Sequence, residues 1–283
     1  MQQPTIQSSK LFWASCIALI FTSLTFSFRA AFEPVWSSAF NIDKVEMGWV
    51  FSPAFWGFTL AMIFGGTLVD VIGMKKIVGL AFVGHIAGAI IYIFAADALM
   101  LFIGTLCIGI GNGMVEAACN PLVVTLYPNK KTTMLNRFHV WFPGGNVIGA
   151  LLAFLVLTKL NLDWKILMVP LFIAAVIYGI MFWSLKFPKT ERVTSGVSTG
   201  TMFASCLNPL FIIMLLCMFL TAATELGTTT WIIALLQRSV DDPILILVFV
   251  FGIMAVGRFF AGPVVHRLNP NGMLIFSAIF AGI

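Results

Sequence analysis

The sequence predicts an all-α membrane protein, and three observations carry that prediction. Of the 283 residues, 60% are hydrophobic and only 10% are charged, against about 45–50% and about 25% in soluble domains. The apolar residues gather into blocks of roughly twenty or more, the length a helix needs to cross hydrocarbon. The basic residues sit in the short connections between these blocks, so the net charge of +5 reads as loop bias and not as a nucleic-acid surface. A helix window then gives nine segments, at 11–40, 46–70, 75–95, 98–126, 139–159, 164–185, 206–236, 243–265 and 271–283. Several are long enough to tilt or to protrude from the bilayer.

Taken in order, the first segment follows Lys10 and runs well past the core of a signal peptide, with no small-x-small cleavage site, so it is a spanning helix. The second ends in "GGTLVDVIGMKK" (65–76), where Gly66 permits close helix approach and Gly73 a tight turn. The fourth holds "IGNGMVEAACNPLVV" (108–122), a carboxylate inside an apolar block. The fifth begins at His139, beside Asn136 and Arg137. After the sixth comes the longest polar stretch, "LKFPKTERVTSGVSTGT" (185–201), rich in Pro, Gly, Ser and Thr and read as a linker. The seventh contains "AATELGTTTWIIALL". The eighth carries Arg258 and ends in "AGPVVHRLNPNGM" (261–273).

That last stretch is a degenerate copy of the loop after segment two. Aligning Gly66 with Gly262 sets His266 against Asp70, with Arg267 next to it, at an offset of 196 residues. An internal repeat of this length divides the chain into 1–185, a six-helix bundle; 186–205, a cytoplasmic linker; and 206–283, part of a second bundle. The second bundle stops in its third helix, so the expectation is a chain lacking about three further helices. A cytoplasmic N-terminus puts Lys10, Lys75, Lys76, Lys130, Lys131, Arg137, Lys186, Lys189, Arg192 and Arg267 inside, against Lys44, Lys159, Lys165 and Arg238 outside. The five cysteines all fall in apolar blocks, without CxxC or His/Cys clustering, and suggest neither disulfides nor a metal site.

Here the residues resemble the major facilitator superfamily. "GGTLVDVIGMKK" is similar to its loop 2–3 signature, with Gly66, Asp70, Gly73, Lys75 and Lys76 matching and Val71 departing from the usual basic residue. The resemblance implies the major facilitator fold and a cytoplasmic gate latched by this cluster, with its usual partner helix in the second half. Arg258 and Arg267 are read as parts of the corresponding second-half latch. A narrower likeness lies in Glu-x-Ala-x-Asn-Pro (116–121) and Leu-Asn-x-x-His (135–139), which resemble the fucose:proton symporter family. That likeness implies sugar transport with the proton as coupling ion and no other cofactor. The first helix departs from the pattern, because matching Pro34 puts Ala30 where the family commonly carries an acidic residue.

Ionisable residues at bilayer depth cost about 3 kcal/mol on insertion scales and so face a cavity or a partner. Asn112, Glu116 and Asn120 are spaced i, i+4, i+8 and form one polar stripe. Gly109 and Gly113 let a neighbouring helix approach. Glu116 is either a proton- or substrate-binding carboxylate in a central cavity, or a static partner that neutralises Arg29 or stabilises helix packing. Arg29 and Glu33 form an i, i+4 pair, read either as self-neutralised at the outer mouth or as an anion- or hydroxyl-binding Arg with a switching partner. Glu225 lies at comparable depth and is followed by three threonines and Trp231, which suit a sugar's hydroxyls and flat faces. The same threonines could instead satisfy backbone carbonyls, with Trp231 in an interfacial belt alongside Trp36, Trp49, Trp141 and Trp164. His139, with Asn136, is a cap or loop anchor, or else a proton relay; His85 is a hydrogen-bonded core histidine.

These residues lead to one expectation: secondary transport of a small polar solute, a sugar by proton symport, through rocking of two bundles about a midplane site. The expected setting is a bacterial inner or plasma membrane, as a multi-pass monomer with a lipid bilayer and a small solute as its partners. The rivals are an exporter of drugs or metabolites, and a non-transporting membrane protein or inactive fragment. No nucleophile–base or metal constellation supports an enzyme.

Overall fold

The computed structural model describes residues 6–281, with side chains continuous as far as Phe260. It is all-helical among the described residues. The first segment is α1 (Ser8–Phe40), ended by Asn41 in the left-handed conformation at φ 53°. Asp43 and Glu46 form a reciprocal capping box that starts α2 (Lys44–Phe51). Ser52 and Pro53 carry the chain directly into α3 (Pro53–Ile72), Pro53 sitting where its missing N–H costs nothing. Gly73, at φ 89°, makes the turn into α4 (Met74–Phe94), as its place in the sequence predicts.

Asp97 caps α5 (Ala98–Leu126) by accepting from the N–H of Met100 at 2.8 Å. The fifth span is composite: α6 (Lys131–His139) and α7 (Trp141–Ala153), followed by a wider turn over Phe154–Lys159. Then come α8 (Met168–Ser184), the short α9 (Glu191–Thr194) and α10 (Thr199–Ser205), α11 (Pro209–Leu236) and α12 (Ile244–Ala281). Among the described residues, seven helical segments are long and apolar enough to cross a membrane, and Ile244–Phe260 adds a shorter apolar stretch.

Two expectations need correction. The eighth and ninth segments, expected at 243–265 and 271–283, are not separated by a turn at Asn269-Pro270-Asn271-Gly272; one helix runs through from 244 to 281. A turn signal of this kind is a local preference, which tertiary context can override. The fifth span begins before His139, at 128–131, so this residue lies inside the span and not at its start.

The helix packing explains the glycine pattern. The first helix is the hub, with 78% of its most apolar window buried, and it packs against α5, α7, α8 and α11. The fifth helix packs on α3 and α4. A Cβ on Gly109 would lie 2.5 Å from the carbonyl oxygen of Pro53, so only glycine allows that approach. Towards the C-terminal end of α3 the expected close approach falls on the neighbouring residue: Gly66 faces open space, and Gly65 is pressed against Ala117 and Met114, both 3.0 Å from a Cβ built there. The remaining helices close on the first bundle in two places, α12 along α6 and α7, and α11 against α1.

Candidate functional site

Between the first bundle and helices α11 and α12 lies a cavity of about 730 Å³. Its walls are largely aromatic and apolar: Phe26 from α1, Phe55 and Phe58 from α3, Phe142 from α7, Met218 and Phe219 from α11. Into this apolar lining project Glu116 from α5, His139 from α6, Glu225 from α11 and Arg258 from α12. Four ionisable residues from four helices thus meet at one cavity, the pattern of a solute pocket with a few convergent polar groups.

A hydrogen-bond chain connects two of them. Asn120 donates from Nδ2 to Glu116 Oε2 at 2.7 Å, which leaves its carbonyl oxygen Oδ1 to face His139 Nε2 at 3.0 Å. An amide oxygen can only accept, so His139 Nε2 carries the hydrogen and donates. The sequence stripe put Glu116 and Asn120 one turn apart, and α6 supplies the third member. Glu116 is 8% exposed, and its Oε1 remains available to a proton or a solute hydroxyl. Arg258 lines the same cavity as Glu116 and His139, yet forms no ion pair among the described residues. A cation held near a carboxylate without direct pairing leaves both free to engage a third group. Arg258, expected as part of the second-half latch, lines the central cavity. Arg267 lies outside the described side chains.

Other predicted residues are dispersed. Asn112 is fully buried and turns away from the cavity, donating to Thr25 Oγ1 of α1 at 3.0 Å. The stripe therefore divides, with its upper member serving helix packing. Arg29 and Glu33 do not pair. Glu33 binds Lys44 of α2, while the Arg29 guanidinium lies over the rings of Phe26 and Phe55 at 4.5 and 4.9 Å. Its Nε and Nη2 are buried without a hydrogen-bond partner, and both rings line the central cavity. Thr229 and Thr230 donate to the carbonyls of Glu225 and Leu226 at 2.8 and 2.6 Å, the backbone-satisfying alternative. Trp231 packs on Phe51 at a centroid distance of 5.9 Å, joining α11 to α2, and does not line the cavity. Asn136 is half-buried on α6, one turn before His139.

The tryptophans correct the belt reading in part. Trp36 is wholly buried and Trp164 nearly so, in a cluster with Phe32, Phe51 and Tyr92. Trp49 is exposed and stacks on Phe102, and Trp141 meets Trp13 edge to face. His85 is a core histidine, stacked on Phe21 and bonded through Nδ1 to the Tyr178 hydroxyl at 2.8 Å.

At the opposite end of the bundle, Asp70 does not await a partner in α11 or α12. It accepts from Arg192 Nε at 2.5 Å and from the Thr190 hydroxyl. Lys131 reaches Glu191 at 2.6 Å, and Lys75 donates to the carbonyls of Trp183 and Leu185. Three connections, after the second, fourth and sixth spans, are thereby tied together. Thr190 and Lys44 escaped the sequence reading because each acts across the fold. The one local signal was Thr-Glu at 190–191, an N-cap followed by an acid in the first turn.

Comparison with known proteins agrees with this architecture. The chain is 26% identical over 264 residues to the 3-(3-hydroxy-phenyl)propionate transporter of Escherichia coli (strain K12), covering 87% of this chain and 63% of that protein. It is 30% identical over 170 residues to the D-galactonate transporter of Escherichia coli O6:H1, covering 58% of this chain and 37% of that one. It is also 26% identical to the multidrug resistance protein MdtG of Proteus mirabilis, over 96% of this chain and 70% of MdtG. The fold matches tetrameric PepTSo2 with a TM-score of 0.57 at 17% identity, over 97% of this chain and 58% of that one. The chain thus spans about three-fifths of the length of such relatives. The family model described as the Major Facilitator Superfamily matches residues 13–283, and the chain belongs to that superfamily.

Proposed function

We propose that this chain forms the solute cavity of a proton-coupled secondary transporter for a small hydroxylated solute, with a sugar as the starting expectation. One observation carries the proposal: the central cavity gathers Glu116, His139, Glu225 and Arg258 from four helices within an aromatic lining. Rings can stack on the flat face of a sugar, while Glu116 and Glu225 can accept from its hydroxyls. Glu116, tied to His139 through Asn120, is the group assigned to bind and release the coupling proton. In this reading, alternation of the two helix groups about the cavity exposes it to either side of the membrane in turn. Trp231 against Phe51 is then part of the closure at one end, and the Asp70–Arg192 pair part of the contacts at the other.

A second reading concerns the solute's charge. Arg258 faces the cavity unpaired, and Arg29 stands buried and unpaired behind Phe26 and Phe55. Two cations without counter-ions among the described residues favour a solute bearing a carboxylate, such as a sugar acid, over a neutral sugar. Transporters of galactonate and of an aromatic propionate among the relatives support this choice. The export alternative draws support only from the likeness to MdtG.

The test is uptake by proteoliposomes carrying the protein in full-length form, using labelled hexoses and hexonates with and without an inward proton gradient. Gradient-stimulated uptake of either supports coupled transport. If Arg258→Gln abolishes hexonate uptake and spares hexose uptake, the acid reading stands. Failure of the gradient to stimulate any of these solutes refutes the proton-coupled reading.

A further inference from the structure

A second recess lies apart from the central cavity. An apolar groove of about 890 Å³ lies on the outside of the first bundle between α4 and α8, within the size range of ligand pockets, roughly 300–1,000 Å³. None of the residues lining the central cavity lines it. One wall is a single face of α4, with Lys76, Gly79 and Val83 at i, i+3 and i+7. The other is the matching face of α8, with Val176, Ile180 and Trp183. Val83, Ile180 and Trp183 are all strongly exposed, Trp183 at 84%. A Cβ built on Gly79 meets nothing within 4 Å, so the groove is open between the lysine and the apolar residues below it.

The two lysines at its mouth differ. Lys75 is committed to the carbonyls of Trp183 and Leu185 at 2.7 and 3.0 Å, closing the end of α8. Lys76 is exposed and takes part in none of the ion pairs among the described residues. We propose that the groove is a binding site for an anionic phospholipid, one acyl chain lying along Val83 and Ile180 and the phosphate meeting Lys76. The trough sits on a membrane-spanning bundle, where hydrocarbon is the ambient solvent. Its one free charge is a cation at the polar end, complementary to an anionic headgroup. Trp183 stands at that same end, the level at which indole rings favour the headgroup boundary. A helix from a second copy would fill the apolar part but leave Lys76 unmatched.

The experiment is native mass spectrometry of the purified chain in detergent, with added phosphatidylglycerol or phosphatidylcholine. The expected result is selective retention of phosphatidylglycerol. Gly79→Phe, which fills the open space, should remove that selective adduct. Lys76→Gln should weaken the selectivity roughly fivefold, the worth of one lysine near an anionic surface. Val83→Phe fills the same groove from an exposed position and serves if Gly79→Phe does not fold. Equal retention of both lipids by the unmodified chain overturns the proposal. So does phosphatidylglycerol retention unchanged by both filling variants, which would mark a general lipid annulus. A dimer that the filling variants abolish would assign the groove to a second copy instead.

Discussion

Replacing Glu116 by Gln removes one negative charge from the central cavity while keeping the side chain's size, and the structure separates its two expected effects. The Asn120 amide donates to Glu116 Oε2 at 2.7 Å, and a glutamine carbonyl can accept the same bond. The variant exchanges a charge-assisted hydrogen bond of about 1.5–3 kcal/mol for a neutral one of about 0.5–1.5 kcal/mol. The loss, about 1 kcal/mol, is partly offset because a carboxylate only 8% exposed is itself costly to bury. A change of that size moves Tm by about 2–4 °C for a chain of this length. The transport effect is far larger. A gradient of one pH unit stores about 1.4 kcal/mol per proton, enough for roughly tenfold accumulation of a solute carried with one proton. The Glu116→Gln protein should accumulate its solute to a ratio of about one, whereas counterflow, which requires no net proton movement, persists. The assay is paired uptake and counterflow in proteoliposomes, with thermal unfolding in detergent as the control. Accumulation that stays near tenfold would show that the proton travels elsewhere. Loss of counterflow at unchanged Tm would show that solute binding needs the Glu116 charge and refute the separation of coupling from binding; a large fall in Tm would make it a structural partner and refute the coupling role.

Further predictions follow from contacts outside the cavity. Asp70→Asn breaks the pairing with Arg192, whose side chain and that of Asp70 are 19% and 7% exposed; it should cost about 1–3 kcal/mol and hasten proteolysis within 186–205. Combined with Arg192→Gln it should be non-additive by roughly 0.5–3 kcal/mol, and simple additivity would show that the pair is idle. Gly109→Leu drives a side chain into the Pro53 carbonyl, 2.5 Å from the Cβ position, and should lower stability by about 1–3 kcal/mol or more. Gly66→Leu, at a position with nothing within 4 Å, should leave Tm within about 2 °C for the same chain length. Tyr178→Phe strips the buried His85 Nδ1 of its partner and should cost about 1–3 kcal/mol, read by thermal unfolding.

The residues legible in the sequence were those whose meaning is local. Gly73 ends one helix and starts the next because a positive φ is needed there, and the Gly-x-x-x-Asp-x-x-Gly pattern announces that turn. Glu116 and Asn120 were matched by their four-residue spacing, which on a helix is adjacency. Gly109 followed from the same kind of reasoning. By contrast, Arg29 and Glu33 have that spacing too and do not pair, because Lys44 reaches Glu33 from the next helix and two phenyl rings receive Arg29. Trp36 was read as an interfacial belt residue, yet three aromatic neighbours from other segments, with Phe32 of its own helix, bury it. The helix spacing offers a partner; the surrounding helices decide whether it is the best one.

What the sequence determined alone was the membrane class, the helix succession through α11 and the presence of a carboxylate where lipid-compatible residues prevail. Those are properties of composition and of periods of a few residues, and the backbone's need to satisfy its own hydrogen bonds in hydrocarbon leaves helices as the solution. Tertiary structure decided everything that depends on which helix faces which: that His139 completes the Glu116–Asn120 chain, that Arg258 meets the cavity, that Asp70 binds Arg192, and that α12 runs on past Asn269. Such contacts join residues 19 and 122 positions apart. At those separations no helical period relates the residues, and only the packing of whole helices brings the charges together.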